Sequence, residues 1–223
     1  MKIRLLPHHI YKILTAIITL NIVMLLGTWA FHFYYYELLT GSWEEASAIK
    51  HILKEFSLAT ENTIATWYSS MLFLAVAIMC AICFITQKKM YSRGRDKFWR
   101  YGWIMFFFIF ATLSFDEMSS MHERLGDSST FNPLGDYPLG WVFLLAIPIG
   151  IVAVLMLYFC VLQIKRAPWA VAFAIAGILL FISIPFQEYF EMLSWQASTD
   201  MANWNRTTFY LLLEEGSALF GAT

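Results

Sequence analysis

Acidic residues stand at two places where this sequence is otherwise apolar enough to lie inside a membrane. Asp116 and Glu117 directly continue an apolar segment. Glu214 and Glu215 lie inside the last apolar segment of the chain. An ionisable group at membrane depth costs roughly 2.5–3.5 kcal/mol on insertion scales, so such groups normally face a protein interior or a wet cavity. These acids therefore indicate where ion binding, proton transfer or catalysis would take place.

The first acidic pair is followed by further groups that could share its site. Continued as an α-helix, residues 114–123 would place Asp116 and Glu123 on one face, with two serines between them. Glu117 and His122 would fall on the flanks of that stripe. This segment therefore predicts two inward carboxylates with an imidazole beside them.

The fifth and first apolar segments add to this group. Glu188 and Glu191 are three residues apart, so they are neighbours on one helix face. Pro185 predicts a local opening of the same helix, and His32 lies near the end of the first segment. Because successive helices alternate in direction, all these groups are expected in one half of the bilayer. The set consists of His32, Asp116, Glu117, His122, Glu123, Glu188, Glu191, Glu214 and Glu215.

Several carboxylates in a small volume cannot all stay ionised without a counter-charge. Few basic residues are near, so a bound cation or shared protons are expected to balance them. Carboxylates with imidazoles suit zinc, manganese or iron, and oxygen ligands alone suit calcium. We therefore predict a divalent metal site, catalytic on a lipid-soluble or periplasmic substrate. The metal ligands in this hypothesis are His32, Asp116, His122, Glu123, Glu188, Glu191 and Glu214, and the catalytic proton carriers are Glu117 and Glu215.

Three other interpretations fit the same residues. The acids could form a proton- or cation-coupling relay in a transporter or channel. They could pair with basic residues of a partner, in which case the chain is a structural or assembly subunit of a membrane complex. In the least specific interpretation they are solvated helix ends. Glu214 and Glu215 fit that last interpretation least well, since apolar residues precede them and Gly-Ser-Ala-Leu-Phe-Gly follows.

Composition assigns the chain to the membrane. Of its 223 residues, 59% are hydrophobic and 14% are charged, whereas a soluble domain carries about 25% charged residues. A membrane span needs about 20 mostly apolar residues. We predict an all-α, polytopic membrane protein, a six-helix transmembrane bundle that forms one integral membrane domain over residues 1–223. The predicted spans are residues 10–33, 63–86, 98–115, 139–164, 169–188 and 203–222.

Two further patterns predict how elements pack. Over residues 42–56, apolar residues recur at three- and four-residue steps with charged residues between them, which is typical of an amphipathic helix. We expect it to lie on the outer surface, over the mouth of the bundle. In the last span, Ser217 and Gly221 are four residues apart and predict the close approach of a neighbouring helix.

The distribution of basic residues predicts the orientation. Most of them lie at the start of the chain and in the short loops after the second and fourth predicted spans, while nearly all acids lie on the other side. Short basic loops stay in the cytoplasm. We therefore expect a cytoplasmic N-terminus and a periplasmic or extracellular acidic face. The expected partners are the lipid bilayer and other membrane subunits, and no nucleic acid is expected because topology explains the basic loops.

Two short segments carry a resemblance to known sequences. The first is Ser114-Phe115-Asp116-Glu117 with His122-Glu123, and the second is Leu213-Glu214-Glu215. With them the chain resembles a group of uncharacterised bacterial multi-pass inner-membrane proteins that pair a Ser/Ala-x-Asp-Glu-x4-His-Glu segment with a late Leu-Glu-Glu segment. The resemblance implies a location in the bacterial inner (plasma) membrane and adds no activity.

Overall fold

The chain is built from α-helices. The computed structural model describes residues 7–39, 48–58, 60, 62–90, 101–121, 140–164, 168–197 and 201–223. Within these residues there are seven α-helices and no β-strand, which confirms the all-α prediction. The helices are α1 (Pro7–Leu39), α2 (Ala48–Glu55), α3 (Ile64–Met90), α4 (Tyr101–Ser119), α5 (Gly140–Ile164), α6 (Pro168–Ala197) and α7 (Met201–Gly221).

Four of these helices are long and apolar enough to cross a membrane. Their apolar windows are Tyr11–Tyr34 in α1, Ile64–Gln87 in α3, Tyr101–Ser119 in α4 and Trp169–Gln187 in α6. They agree with four of the predicted spans and indicate a membrane protein. Their outer surfaces expose large apolar side chains such as Leu26, Ile78, Phe108 and Leu179. An exposed apolar surface of this extent suits contact with lipid.

The fourth and sixth predicted spans are not among these four. α5 coincides with the predicted span 139–164, and the part of it with described side chains, Gly150–Leu162, is apolar. α7 coincides with the predicted span 203–222 but is not among the four apolar helices. Its 21 residues include Arg206, Glu214 and Glu215, and charged residues lower the free energy gained by moving a helix into lipid. The count of six spans therefore stays a prediction.

The predicted amphipathic helix is observed as α2. It covers Ala48–Glu55, and residues 42–47 of the prediction lie outside the described part of the chain. α2 packs against α1. The described contact of α2 is therefore with the side of α1, whereas the prediction placed this helix over the mouth of the bundle.

An aromatic cluster holds α3, α4 and α5 together. Phe106 and Phe159 have ring centroids 5.1 Å apart, as do Trp103 and Phe159, and both pairs are edge-to-face. This arrangement is favourable because the edge of one ring is positive and the face of the other is negative. Phe159 lies where a Cβ on Gly102 would have to be. Glycine at this position therefore lets α5 approach α4.

α7 lies at the centre of the packing. Its Leu219 is 1% exposed and forms a buried cluster with Met24 of α1 and Ala65 of α3. On a neighbouring face, Ala218 and Ala222 pack against the aromatic cluster of α3, α4 and α5. These contacts involve the end of α7, whereas Phe209 and Leu213 nearer its start are exposed.

α3 and α4 run antiparallel. Near the start of α3 and the end of α4, Ser70 Oγ lies 3.0 Å from Ser114 Oγ. Near the opposite ends of the same helices, the rings of Phe84 and Tyr101 have centroids 6.1 Å apart. The start of α3 and the end of α4 therefore lie at the same end of the bundle.

Buried polar residues concentrate at that end, and we call this part of the bundle the polar half. The opposite end buries Ala77, Cys80, Phe106 and Phe159, which are apolar or nearly so. The buried hydroxyl residues of the polar half are Thr28, Ser57, Thr63, Thr66, Ser69, Ser70, Ser114, Ser120, Thr207, Thr208 and Ser217.

One buried amide connects three helices near the middle of α1. The side chain of Asn21 is fully buried. Its Nδ2 donates to Thr223 Oγ1 at 3.0 Å, and its Oδ1 accepts the hydroxyl hydrogen of Tyr68 at 2.7 Å. In an apolar environment an unpaired amide would be costly, so this network fixes the relative positions of α1, α3 and the end of α7.

Replacing Asn21 by leucine should destabilise the protein. Hydrogen bonds between membrane helices average about 0.6 kcal/mol each, and a buried partner left unpaired adds about 1 kcal/mol. We expect Asn21→Leu to lower the midpoint of thermal unfolding in detergent. The matched control is Ile22→Leu at the adjacent, 47% exposed position. Equal midpoints for the two variants would show that the network does not hold the helices.

Candidate functional site

The second acidic pair faces the interior of the bundle. Glu215 precedes Ala218 by three residues and Ala222 by seven, so the three share a helix face, and both alanines pack against the aromatic cluster. Glu214 lies three residues before Ser217, which is 5% exposed. The side of α7 that faces outward carries Phe209 and Leu213 instead, at 57% and 40% exposure.

The first acidic pair lies in the last turn of α4, and its inward member differs from the prediction. The buried face of α4 carries Phe106, Phe110 and Ser114. Glu117 continues this face, because it follows Phe110 by seven residues and Ser114 by three. Asp116 lies at the margin of the buried face. Both carboxylates are partly buried, but the sequence had placed Asp116 inward and Glu117 on the flank.

The helix does not continue through the predicted stripe. α4 ends at Ser119, and Ser120 has a φ of 45°. A non-glycine residue with positive φ interrupts the right-handed helix. The shared face expected for Asp116 and Glu123 is therefore not continuous, and His122 and Glu123 lie outside the described residues.

Two serines hold the end of α4 on α3. Ser70 Oγ donates to the carbonyl oxygen of Ser114 at 2.7 Å, and both residues are buried. This bond fixes the backbone two residues before Asp116 and three before Glu117. The position of the first acidic pair is thus set by a contact between helices.

A polar bridge joins α6 to α7 beside the second acidic pair. Gln187 Nε2 donates to Ser183 Oγ at 2.8 Å and to Ser217 Oγ at 3.1 Å. Gln187 Oε1 is buried and has no hydrogen-bond partner in the described part of the structure. Pro185 lies inside α6, and its missing N–H removes one helical hydrogen bond next to this bridge.

The remaining predicted ligands are spread over two helices. Glu188 and Glu191 lie in α6, with side chains outside the described part of the structure. His32 is half-buried near the end of the α1 window, with Phe31 against it edge-to-face at 5.9 Å. Leu25 is the α1 residue that lies against Gly216. His32 is seven residues beyond it, which is about 10 Å further along the helix axis.

The described residues by themselves do not form a metal site. Within them, no three His, Cys, Asp or Glu side chains are arranged to hold a metal ion. The described residues include the acidic pairs of α4 and α7 and His32. They do not include His122, Glu123 or the side chains of Glu188 and Glu191. The described acids would therefore need these residues to complete a site.

Several residues of this region had no predicted role. The sequence signal for a role was a polar side chain within an apolar segment, and it is present at Asn21, Ser70, Ser114 and Gln187. Their hydrogen bonds join different helices, so their roles depend on which helices are neighbours.

Against this geometry, comparison with known proteins identifies a family. Residues 17–223 match the model of a domain of unknown function, DUF8692. The chain belongs to this family. No match was found among curated proteins or among solved structures.

The close approach of α6 and α7 holds the second acidic pair in place. A Cβ on Gly177 would lie 2.9 Å from the carbonyl oxygen of Gly221, and further along the pair the rings of Phe190 and Tyr210 stack at 5.7 Å. This contact confirms the close helix approach predicted at Gly221.

Replacing Gly177 by alanine should force α6 and α7 apart. Overpacking of this kind costs about 1–3 kcal/mol, so Gly177→Ala should lower the thermal unfolding midpoint in detergent. Gly150→Ala in α5 is the matched control, because a Cβ there meets nothing within 4 Å, and alanine favours helix by about 1 kcal/mol over glycine. If Gly177→Ala unfolds no earlier than Gly150→Ala, the α6–α7 contact is not tight.

Proposed function

We propose that this protein is a multi-pass protein of the bacterial inner membrane that binds a divalent cation in a carboxylate and histidine pocket. In this proposal the bound ion serves catalysis on a lipid-soluble or periplasmic substrate. The observation that carries the proposal is the inward direction of Glu214 and Glu215 on α7, the helix with buried contacts to both core clusters.

Neighbouring, partly buried carboxylates form a region of negative charge that suits a cation. Two carboxylates on adjacent residues repel each other, and a protein interior weakens this repulsion less than water does. A protein that needed only to pack α7 would gain by apolar residues at both positions. A cation or a mobile proton at this position explains why the acids are kept.

The orientation in this proposal follows from charge. The polar half faces the periplasm or the extracellular side, and the N-terminus and the basic loops face the cytoplasm, because short basic loops are retained there. All six predicted spans cross the membrane, and α7 has its exposed Phe209 and Leu213 towards lipid.

The proposed ligands come from four helices and the segment after α4. They are His32, Asp116, His122, Glu123, Glu188, Glu191 and Glu214. A metal held by such a set, whether zinc, manganese, iron or calcium, would lower the pKa of a bound water and supply a nucleophile. Glu117 and Glu215, next in sequence to two of the ligands, would carry protons.

The metal content of the purified protein tests this proposal. We expect about one equivalent of a divalent metal per chain after purification without chelator, because the proposed ligands are carboxylates and imidazoles, which suit a divalent metal. Glu214→Gln and His122→Ala should each lower this content at least about tenfold, as loss of a ligand does more than loss of a supporting residue. Glu55→Gln is the control, since Glu55 lies in α2, is not one of the proposed ligands and accepts a hydrogen bond from Ile64 N–H. A metal-free wild-type protein would end this proposal.

One observation favours cation- or proton-coupled transport as a second candidate. Pro185 interrupts the hydrogen bonding of α6 beside the bridge from Gln187 to Ser217. Broken helices next to buried acids are a feature of transporters. Buried polar groups also extend from the polar half to Asn21 near the middle of α1.

Transport predicts ion movement across a membrane. Proteoliposomes containing the protein should pass protons or cations down a gradient, and Glu214→Gln with Glu215→Gln should reduce the rate at least about tenfold if the acids carry the ion. Ser217→Ala, which keeps both acids, serves as the control for the bridge alone. Equal flux in empty liposomes and in proteoliposomes would exclude this function.

A further inference from the structure

α2 exposes two flanks of opposite character. Ile49 and Ile52 are 54% and 60% exposed, and His51 and Lys54 are exposed as well. With 100° of rotation per residue, the two isoleucines lie about 160° from the two basic residues around the helix axis. A helix with this division suits the boundary between acyl chains and headgroups, apolar flank inward and basic flank outward.

The segment after α2 is fixed to α1 inside the membrane window of that helix. The backbone N–H of Leu58 donates to Thr28 Oγ1 at 3.0 Å, and Thr28 is fully buried. A Cβ on Gly27 would lie 3.1 Å from the carbonyl oxygen of Phe56, so glycine permits this approach. Thr28 is six residues before Tyr34, where the window ends, a distance of about 9 Å along the axis.

Several polar groups at the turn between α2 and α3 have partners within this part of the protein. Thr63 Oγ1 accepts the N–H of Thr66 at 3.2 Å and so caps α3. Thr66 Oγ1 donates to the carbonyl oxygen of Thr60 at 2.7 Å, and a carboxylate oxygen of Glu55 accepts the N–H of Ile64 at 3.3 Å. Non-helical backbone is tolerated at membrane depth only where the protein satisfies it in this way.

We propose that α2 lies within the membrane leaflet next to the polar half, at the side of α1. The exposed surface of α2 contacts lipid: Ile49 and Ile52 contact acyl chains, and His51 and Lys54 contact the phosphate groups of the headgroups. Three observations carry this inference, namely the position beside the α1 window, the internal hydrogen bonds of the turn and the opposite flanks of α2. The proposal is independent of any ion bound near Glu214.

Fluorescence quenching in liposomes tests the contact. The full-length chain, with Cys80, Cys83 and Cys160 replaced by alanine, receives a single NBD-labelled cysteine as either Ile52→Cys or Lys54→Cys. These positions are two residues apart and lie on opposite flanks. In phosphatidylcholine liposomes with brominated acyl chains, quenching at residue 52 should exceed that at residue 54 at least about twofold, since an interfacial helix buries its apolar flank about 5–10 Å deep. Aqueous iodide should reverse this order.

Two results would overturn the proposal. Equal iodide quenching at residues 52 and 54, without quenching by brominated lipid, would mean that α2 stands in water. Quenching of residue 52 by neither reagent would mean that protein covers the apolar flank, either a second copy of this chain or another subunit. The thermal unfolding midpoint of each labelled variant, measured against the cysteine-free chain, verifies that the label has not displaced α2.

Discussion

The structure depends on one constraint: in a lipid environment each backbone or side-chain polar group must find its partner within the protein. The chain meets much of this constraint by gathering its buried hydroxyl groups in one half of the bundle, where a helix can supply hydrogen-bond partners to its neighbours. Ser70 with Ser114 and Gln187 with Ser217 are examples. The opposite half is left to aromatic packing around Phe159.

α7 combines charged residues with buried contacts to its neighbours. The end of α7 packs against α1, α3 and α6, and Glu214 and Glu215 lie just before this packed part. Partial burial raises the electrostatic cost of an ionised carboxylate.

The helices could be predicted from the sequence because a membrane span needs a long run of apolar residues, and such a run is contiguous in the sequence. The inward direction of Glu215 could be inferred from the apolar residues on both sides of it. That Glu117 rather than Asp116 continues the buried face of α4 could not be inferred, because this face is set by Phe106 and Phe110, whose burial depends on α3 and α5. The end of α4 before Ser120 could not be predicted from the sequence either, since serine does not by itself favour a positive φ.

The backbone contact between Gly177 and Gly221 has a consequence for biosynthesis. A helix with three charged residues enters the bilayer poorly as a single segment, whereas an apolar helix such as α6 enters readily. In the proposed six-span topology, α7 would enter the membrane as the second arm of a hairpin, since a short connection joins it to α6 and the two helices fit each other at this contact. A substitution that separates these two glycines would then impair the insertion of the protein into the membrane before it affected the stability of the folded protein.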